Sequence, residues 1–265
     1  MEKKSNVSGM FAAVTIPICA IVAFLAFYFV MGSKGNFIND DPTGTPKDGN
    51  MLGVIYKGGV IVPFLLTAFL TVVVFSVERV LTLMRATGKG NISSFVKKVQ
   101  YHLEQNDLAS ADAECDTQKG SVANVIKAGL KRYREMEAET NMSKDQKLLA
   151  IQKDIEESTA LELPMLEKNL PVIATLAPIG TLIGLLGTVV GMIKSFNAMA
   201  HAGAPDASEL SKGISEALIN TATGILTSAL AIIAYNYFTN QIDGLTYGID
   251  EAGYSLQQTF AEKHK

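Results

Sequence analysis

Four stretches of the chain contain no Lys, Arg, Asp or Glu, although 18% of the 265 residues are charged. They are residues 5–33, 58–77, 169–193 and 217–242, and together they cover 100 residues. A helix needs roughly 20 apolar residues to cross the hydrocarbon core of a bilayer, so each stretch is long enough to span it. The pattern predicts an all-α, polytopic membrane protein and argues against a purely soluble fold.

The composition excludes several function classes. A net charge of −3, without any run of five Lys or Arg, provides no basic surface for a nucleic-acid partner. Cys19 lies in the first charge-free stretch and Cys115 in the charged middle of the chain, so we expect two packing residues rather than a disulfide. His102, His201 and His264 are far apart and far from both cysteines. We therefore predict no metal site and no cofactor.

The first stretch has two interpretations. Lys3 and Lys4 precede an apolar run, as in a signal peptide. However, the apolar run at 10–30 exceeds the roughly 7 to 15 residues of a signal peptide, and residues 30–33 form a poor cleavage site. We favour an uncleaved transmembrane helix.

The distribution of Lys and Arg predicts the orientation of the chain. If residues 1–4, 78–168 and 243–265 are cytoplasmic, 18 of the 23 Lys and Arg lie inside and 5 outside, in agreement with the positive-inside tendency. Arg79 and Arg85 closely follow the second stretch, where this tendency is strongest. Both termini are therefore expected in the cytoplasm.

The segments between the spans differ in character. Residues 34–57 are rich in Asn, Asp, Pro and Gly, which predicts an irregular extramembrane connection. Residues 79–168 hold 14 Lys and Arg against 14 Asp and Glu, and we expect them to be helical nearly throughout. Stop signals at 88–90, at 119–120 and near Asn141 divide this segment into several helices.

One long helix is predicted from this middle segment into the third span. Ser143 and Gln146 have the spacing of a capping box at its start. No obvious terminator follows before the third charge-free stretch. Pro164, Pro171 and Pro178 recur every seven residues, so they should lie near one face and bend the helix rather than end it.

The third span carries four glycines on one face of a helix. Gly180, Gly184, Gly187 and Gly191 are separated by 4, 3 and 4 residues. The missing side chains let another helix approach closely, which predicts a tight helix–helix contact. Thr181 lies next to this face and is expected to take part in the packing or to line a pore.

The fourth span has a polar stripe with a carboxylate, Glu216, at its outer end. Three polar residues lie within about 40° of Glu216 on a helix of 3.6 residues per turn: Asn220, Thr223 and Thr227. Thr221 and Ser228 form a second polar edge. Both edges are therefore placed to meet neighbouring helices.

The depth of Glu216 allows two interpretations. The 26 charge-free residues after it already suffice for a span, so Glu216 could be an interfacial residue in the first helical turn. Alternatively, Ser211 caps the helix and Glu216 lies more than a turn inside. Carboxylates within a membrane are costly and commonly mark ion or proton pathways. We favour this second interpretation, which makes Glu216 a candidate proton relay.

Several motifs resemble those of a known family. Residues 185–196 read LLGTVVGMIKSF, residues 213–224 read GISEALINTATG, and Tyr235-Asn236 follow. This combination resembles the ExbB/TolQ/MotA family of proton-channel subunits, and most closely its ExbB members. The resemblance runs from about residue 58 to the carboxy terminus, and it includes the Glu78-Arg79 pair.

The resemblance implies roles for particular residues. Glu216 matches a glutamate that faces the central pore, Thr188 a threonine of the preceding span, and Thr221 a threonine five residues after the glutamate. Ser215 and Asn220 stand where relatives often have Ala. The resemblance further implies a homopentamer whose pore encloses ExbD-like subunits. An aspartate of that partner would exchange protons with the pore, and proton flow would drive rotation coupled to a TonB-like protein.

Three functions stay open at this point. The first is a proton-channel subunit of an inner-membrane motor for TonB-dependent outer-membrane transport. The second is a TolQ-like role in cell-envelope maintenance, and the third is a passive structural scaffold. An enzyme is the weakest option, because no nucleophile–base pair or phosphate-binding loop is evident. The extra first span departs from the family, since many ExbB relatives have three spans.

The predicted organisation is a multi-pass protein of the bacterial inner membrane, in contact with the lipid bilayer. Long helices are expected to extend from the membrane into a cytoplasmic helical domain. Four segments are predicted membrane helices: residues 1–33, 58–79, 169–195 and 212–240. The others are a periplasmic loop at 34–57, the cytoplasmic domain at 80–168, a short periplasmic loop at 196–211 and a cytoplasmic tail at 241–265.

Overall fold

The computed structural model describes residues 3–201 and 207–264, with the side chains of residues 11–199 and 208–264. These residues are almost entirely helical and contain no β-strand, which confirms the predicted all-α class. Four helices are long and apolar enough to cross a membrane, by length and composition. The α-helices of the described residues are α1 Lys3–Leu25, α2 Met51–Tyr56, α3 Val62–Thr87, α4 Ile92–Glu104, α5 Leu108–Gln118, α6 Gly120–Ala138, α7 Lys144–Glu167, α8 Leu170–His201 and α9 Ala207–Lys263.

The chain forms two compact units, each built from segments distant in sequence. The first, which we call the apolar unit, contains residues up to Val77 together with Pro171–Tyr235. The second, the polar unit, contains Glu78–Leu170 and the residues from Asn236 onward. The helices α3 and α9 each contribute residues to both units.

Aromatic side chains join α1 to α3 within the apolar unit. Phe11 meets Phe75 edge-to-face with ring centroids 5.7 Å apart, and Phe24 meets Phe64 in the same way at 5.5 Å. Such pairs stabilise helix contacts beyond the apolar area that they bury. The first helix is thus packed against the second predicted span.

The connection between these two helices is more ordered than the sequence predicts. It contains α2 and three short 3-10 turns besides irregular segments. Asn50 caps α2, because its side-chain oxygen accepts hydrogen bonds from the backbone N–H groups of Leu52 and Gly53, both at 3.1 Å. Tyr56 at the end of α2 stacks on Phe27 with ring centroids 4.7 Å apart.

The polar unit confirms the predicted helix boundaries of the middle segment. Helices α3, α5 and α6 end at Thr87, Gln118 and Ala138, next to the three predicted stop signals. The capping box at the start of α7 is also present, with Ser143 N donating to Gln146 Oε1 at 2.9 Å. Buried apolar side chains of α4, α6, α7 and α9 form the core of this unit, among them Val99, Leu103, Leu130, Ile151, Leu256 and Phe260.

The prediction of one continuous helix into the third span is wrong. Helix α7 ends at Glu167 and α8 begins at Leu170, with Asn169 in the left-handed conformation at φ 65°. Pro171 lacks a backbone N–H, and it lies in the first turn of α8, where that group would have no partner within the helix. Pro164 and Pro178 do lie inside α7 and α8, as expected.

A buried arginine of the polar unit binds this helix end. The Arg79 side chain is 1% exposed, and its Nη1 donates to the carbonyl of Leu166 at 3.0 Å. Its Nε and Nη2 donate to the two carboxylate oxygens of Glu78 at 2.7 and 2.5 Å. Asn169 Nδ2 donates to the same carboxylate at 3.2 Å. The Glu78-Arg79 pair therefore satisfies a free carbonyl at the end of α7.

The fourth span begins earlier than predicted. Helix α9 starts at Ala207, so the expectation that Ser211 is its N-cap is wrong. Helix α8 extends to His201, so both helices reach into the predicted loop, whose residues 202–206 lie outside the described part of the chain. Glu216 consequently lies well inside α9 rather than in its first turn.

Candidate functional site

The glycine face of α8 packs directly on the backbone of α9. A Cβ atom on Gly184 would lie 3.1 Å from the carbonyl oxygen of Asn220 and 3.2 Å from Cα of Gly224. A Cβ atom on Gly191 would lie 2.7 Å from the carbonyl oxygen of Gly213. All four glycines of the predicted face are buried: Gly180, Gly184, Gly187 and Gly191. We call this close contact of α8 and α9 the seam.

Glu216 lies at the end of the seam in a corner made by α8 and the turn before α3. Its carboxylate oxygen Oε1 accepts a hydrogen bond from Lys194 Nζ of α8 at 2.5 Å. The Glu216 side chain is 13% exposed, whereas that of Lys194 is 49% exposed. Gly59 closes the corner with φ +73°, and a Cβ atom there would lie 2.5 Å from Oε1. Only a glycine allows this approach without strain.

The sequence prediction missed the partner of Glu216. Lys194 is the first charged residue after the third charge-free stretch, and Glu216 is the last before the fourth. Two adjacent spans that run in opposite directions bring these positions to the same end. Opposite charges at the two boundaries were therefore a signal that could have identified the pair.

Asn220 occupies the next helical turn inward and is completely buried. Its Nδ2 donates to the carbonyl of Gly58 at 2.9 Å. The missing side chain of Gly187 makes room for it, since a Cβ atom there would overlap the Asn220 side chain. Its Oδ1 has no hydrogen-bond partner among the described residues. Buried polar atoms are usually paired, so Asn220 presents an acceptor one turn from Glu216.

Two hydroxyl pairs bridge α8 and α9 along the seam. Thr188 and Thr221, which the family resemblance singled out, are hydrogen-bonded to each other. Thr181 and Ser228 form the second pair, with their oxygens 2.7 Å apart. The second polar edge of α9 therefore faces α8. A hydroxyl can donate and accept at once, so such pairs can pass a proton along.

The remaining residues of the polar stripe bond within α9. The Thr223 hydroxyl donates to the carbonyl of Ile219 at 2.8 Å, and the Thr227 hydroxyl donates to the carbonyl of Thr223 at 2.9 Å. Thr227 is buried, and Thr223 is partly buried. Within the described chain these two threonines satisfy their own helix and do not bridge to α8.

A lysine anchors the segment that carries Gly58 and Gly59. The Lys57 ammonium donates to the carbonyls of Pro42 and Thr43 at 2.9 and 2.8 Å. Burial lowers the pKa of Lys57, and the nearby Asp41 carboxylate opposes this shift. The ammonium is thus held by the preceding loop, and the glycine turn that follows it is fixed against Glu216 and Asn220.

The site combines ionisable and hydrogen-bonding side chains. Among the described residues, no group of three or more His, Cys, Asp or Glu could hold a metal ion. What α8 and α9 bring together is one carboxylate, one ammonium, one amide and two hydroxyl pairs. These groups lie in or next to the charge-free stretches of α8 and α9.

Comparison with known proteins places the chain in a family. The model of the MotA/TolQ/ExbB proton channel family matches residues 117–251, about half of the chain. The chain belongs to the MotA/TolQ/ExbB proton channel family. This confirms the resemblance at the level of the family. The matched residues include Thr188, Glu216 and Thr221.

A curated relative refines the comparison within the MotA/TolQ/ExbB family. The Tol-Pal system protein TolQ of Pseudomonas aeruginosa is 27% identical over 157 residues, which cover 59% of this chain and 67% of TolQ. The motifs predicted a closer resemblance to ExbB members than to others of the family. This relative is a TolQ protein and does not support that prediction. The chain is thus similar to a TolQ protein and is a member of a family of proton channels.

Proposed function

We propose that this chain is the proton-channel subunit of an inner-membrane motor driven by the proton motive force, with Glu216 as the group that takes up and releases the proton. One observation supports this most. The Glu216 side chain is 13% exposed in the apolar unit, and it lies at the outer end of the polar groups along the seam. Carboxylates in such surroundings typically belong to ion or proton pathways.

The proposed path follows the seam inward from Glu216. Asn220 offers an unpaired acceptor one turn away. The hydroxyl pairs Thr188–Thr221 and Thr181–Ser228 continue in the same direction along α8 and α9. The hydroxyls can each donate and accept a hydrogen bond, and the amide oxygen accepts one. The path thus ends toward the middle of the fourth charge-free stretch.

The proposed assembly is a homopentamer around an ExbD-like or TolR-like subunit. The charge-free stretches of α8 and α9 contain no Asp, so a second carboxylate for proton exchange must come from that partner. The helices expose apolar residues that neighbours or lipid can cover: Leu182, Leu185, Val189 and Ile193 on α8, and Leu218, Ile225, Ile232 and Ile233 on α9. Both termini lie in the cytoplasm, and the proton-driven movement of the assembly is transmitted to a TonB-like protein.

A TolQ-like role in envelope maintenance is the second candidate function. The 27% identity to TolQ of P. aeruginosa favours it. Both candidates use the same proton path and differ only in the partner that is driven. Affinity purification of the chain from its own cells, followed by mass spectrometry, distinguishes them. Recovery of a TonB-like protein supports energised outer-membrane transport, whereas recovery of Tol proteins supports the second role.

The proton path is tested by removing its carboxylate. We expect Glu216→Ala to abolish proton flux in liposomes that contain the purified complex, because no other acid group lies along the seam. Flux is followed with an entrapped pH-sensitive dye after a potential is imposed. Glu209→Ala is the matched control, since Glu209 also lies on α9 and pairs with a lysine but is 48% exposed.

Flux in the Glu209→Ala control should equal that of the unmodified protein. Full flux in Glu216→Ala would refute the proposed path. Full flux in Glu216→Gln would refute it as well, because glutamine cannot take up and release a proton. Absence of flux in the unmodified protein would favour the passive scaffold.

A further inference from the structure

Lys194 is an unusual residue for its position. It follows a charge-free stretch of 25 residues, and two of its exposed neighbours on α8, Ile193 and Phe196, are apolar. Among the described residues, the hydrogen bond from its ammonium goes to the carboxylate of Glu216. An ammonium at the mouth of the proposed proton path therefore calls for a role connected with Glu216.

We infer that Lys194 is a built-in counter-ion that keeps Glu216 as a carboxylate until an incoming proton takes the place of the ammonium. The inference rests on the proposed function, since it describes how the same site is regulated. The site then alternates between two states. In one, Glu216 and Lys194 form an ion pair, and in the other, Glu216 carries the proton and the ammonium of Lys194 is hydrated.

The different exposure of the two partners supports this exchange. Glu216 is 13% exposed and Lys194 is 49% exposed. A lysine side chain is long and flexible and its ammonium is strongly hydrated, so it can turn into water and keep its charge. A largely buried carboxylate that loses its cationic partner carries an uncompensated charge, which favours its neutral, protonated form. Separation of the pair is thus coupled to protonation of Glu216.

Two other described lysines of the apolar unit have partners of their own. Lys57 is held by the carbonyls of Pro42 and Thr43. Lys212 pairs with Glu209 at 2.6 Å, three residues apart on α9, and both side chains are about half exposed. This second pair is solvated and provides a matched control on the same helix.

Carbodiimide labelling tests the inference without measuring transport. Dicyclohexylcarbodiimide reacts with protonated carboxyl groups in apolar surroundings and spares carboxylates. The purified complex is treated near neutral pH, and the peptide that contains Glu216 is quantified by mass spectrometry. We expect Lys194→Met to be labelled about tenfold faster than the unmodified protein, because a hydrogen bond to a charged group is lost. Lys194→Arg keeps a cation and should label as slowly as the unmodified protein.

Two controls make the outcome specific. Lys212→Met should leave labelling unchanged, and Glu216→Gln should remove the labelled peptide. Equal labelling of Lys194→Met and the unmodified protein would overturn the inference, as would fast labelling of Lys194→Arg. Neither result depends on proton flux. Loss or retention of flux in Glu216→Ala decides the proposed function separately.

Discussion

At the scale of single residues, the hydroxyl pair of Thr188 and Thr221 is the most specific connection between α8 and α9. Each threonine can be replaced by valine, which keeps the shape and removes the hydroxyl. We expect either replacement to lower proton flux by about tenfold, the equivalent of one lost hydrogen bond of roughly 1 to 1.5 kcal/mol. The liposome assay described above measures the proton flux of each variant.

Two further variants help to interpret this prediction: a double variant of Thr188 and Thr221, and a variant of the next pair, Thr181–Ser228. If Thr188 and Thr221 act together, the double valine variant should lose no more flux than either single variant. Additive losses would contradict a shared step. Ser228→Ala probes the next pair along the seam. Normal proton flux in that variant would show that the proposed path does not include Thr181 and Ser228.

The buried thiol of the polar unit gives a prediction about pH. Burial raises the pKa of Cys115 to about 12, and the nearby Asp112 carboxylate adds to the effect. The folded protein therefore keeps the thiol protonated where the unfolded chain would ionise. This contribution to stability is present below pH 9 and is lost as the pH rises from 9 toward about 12.

Two measurements check this. In a Cys19→Ser background, iodoacetamide near pH 8 should leave Cys115 unmodified in the native protein and alkylate it in urea. Cys115→Ala should also lose less stability than the unmodified protein between pH 9 and about 12. Rapid alkylation of the native protein would show that the thiol is accessible.

Sequence reasoning identified part of the candidate site at this scale. Glu216, Thr188 and Thr221 could be chosen because residue type, helical position and family motifs agree. Lys194 was missed, although the opposite charges at the two span boundaries were a signal for its pairing with Glu216. Gly59 could not be chosen, since its role depends on a contact between residues far apart in the chain. Hydrogen-bond partners across helices follow from rotation and packing, which periodicity alone does not determine.

At the scale of secondary-structure elements, the seam makes a prediction about stability. A methyl group on Gly184 would come within 3.2 Å of backbone atoms of α9, which cannot move like a side chain. We expect Gly184→Ala to reduce the free energy of unfolding by about 1 to 3 kcal/mol. Circular dichroism of the detergent-solubilised protein during heating measures the change.

Gly244→Ala is the matched control for this prediction. Gly244 also lies within α9, but no atom is within 4 Å of the position of an added Cβ. Alanine there should stabilise the protein by up to about 1 kcal/mol through helix propensity. Equal effects of the two substitutions would show that the seam is not closely packed.

The buried guanidinium of Arg79 makes a second prediction for an element. Arg79→Leu leaves the carboxylate of Glu78 and the carbonyl of Leu166 without their main donor. We expect a loss of about 3 to 5 kcal/mol, the usual result of breaking a buried ion pair. Arg85→Leu, an exposed position on the same helix, should change stability by no more than about 0.5 kcal/mol. Denaturant titration of both variants tests the difference.

The break between α7 and α8 shows why helix boundaries escaped prediction here. Three evenly spaced prolines look alike in sequence, yet Pro164 and Pro178 lie inside helices whereas Pro171 follows a break. What differs is the left-handed Asn169, which bonds the carboxylate of Glu78. A long-range contact therefore helps to decide which proline ends a helix.

At the scale of the whole molecule, the charge-free stretches predicted the class of fold. Four apolar stretches of 20 or more residues have few structural solutions besides membrane helices. The division into two units could not be predicted in this way. Each unit combines segments more than 60 residues apart, and their association depends on tertiary contacts rather than on local pattern.

The proposed assembly gives a prediction at the same scale. Native mass spectrometry of the detergent-purified complex should show five copies of the chain. The same count is expected for Glu216→Ala, because its carboxylate takes part in proton transfer and not in the seam. A different stoichiometry, or dissociation of this variant, would contradict the proposed assembly.

The glycine contacts between α8 and α9 have a mechanical consequence. The backbones of α8 and α9 are in contact, so no side-chain rotamer change can widen the space between the two helices. We expect the two helices to move as one rigid body. Asn220 and the two hydroxyl pairs then keep a constant spacing through any cycle of movement. Because the seam keeps its spacing, the proposed proton path would be opened and closed at its outer end, where Glu216 meets Lys194.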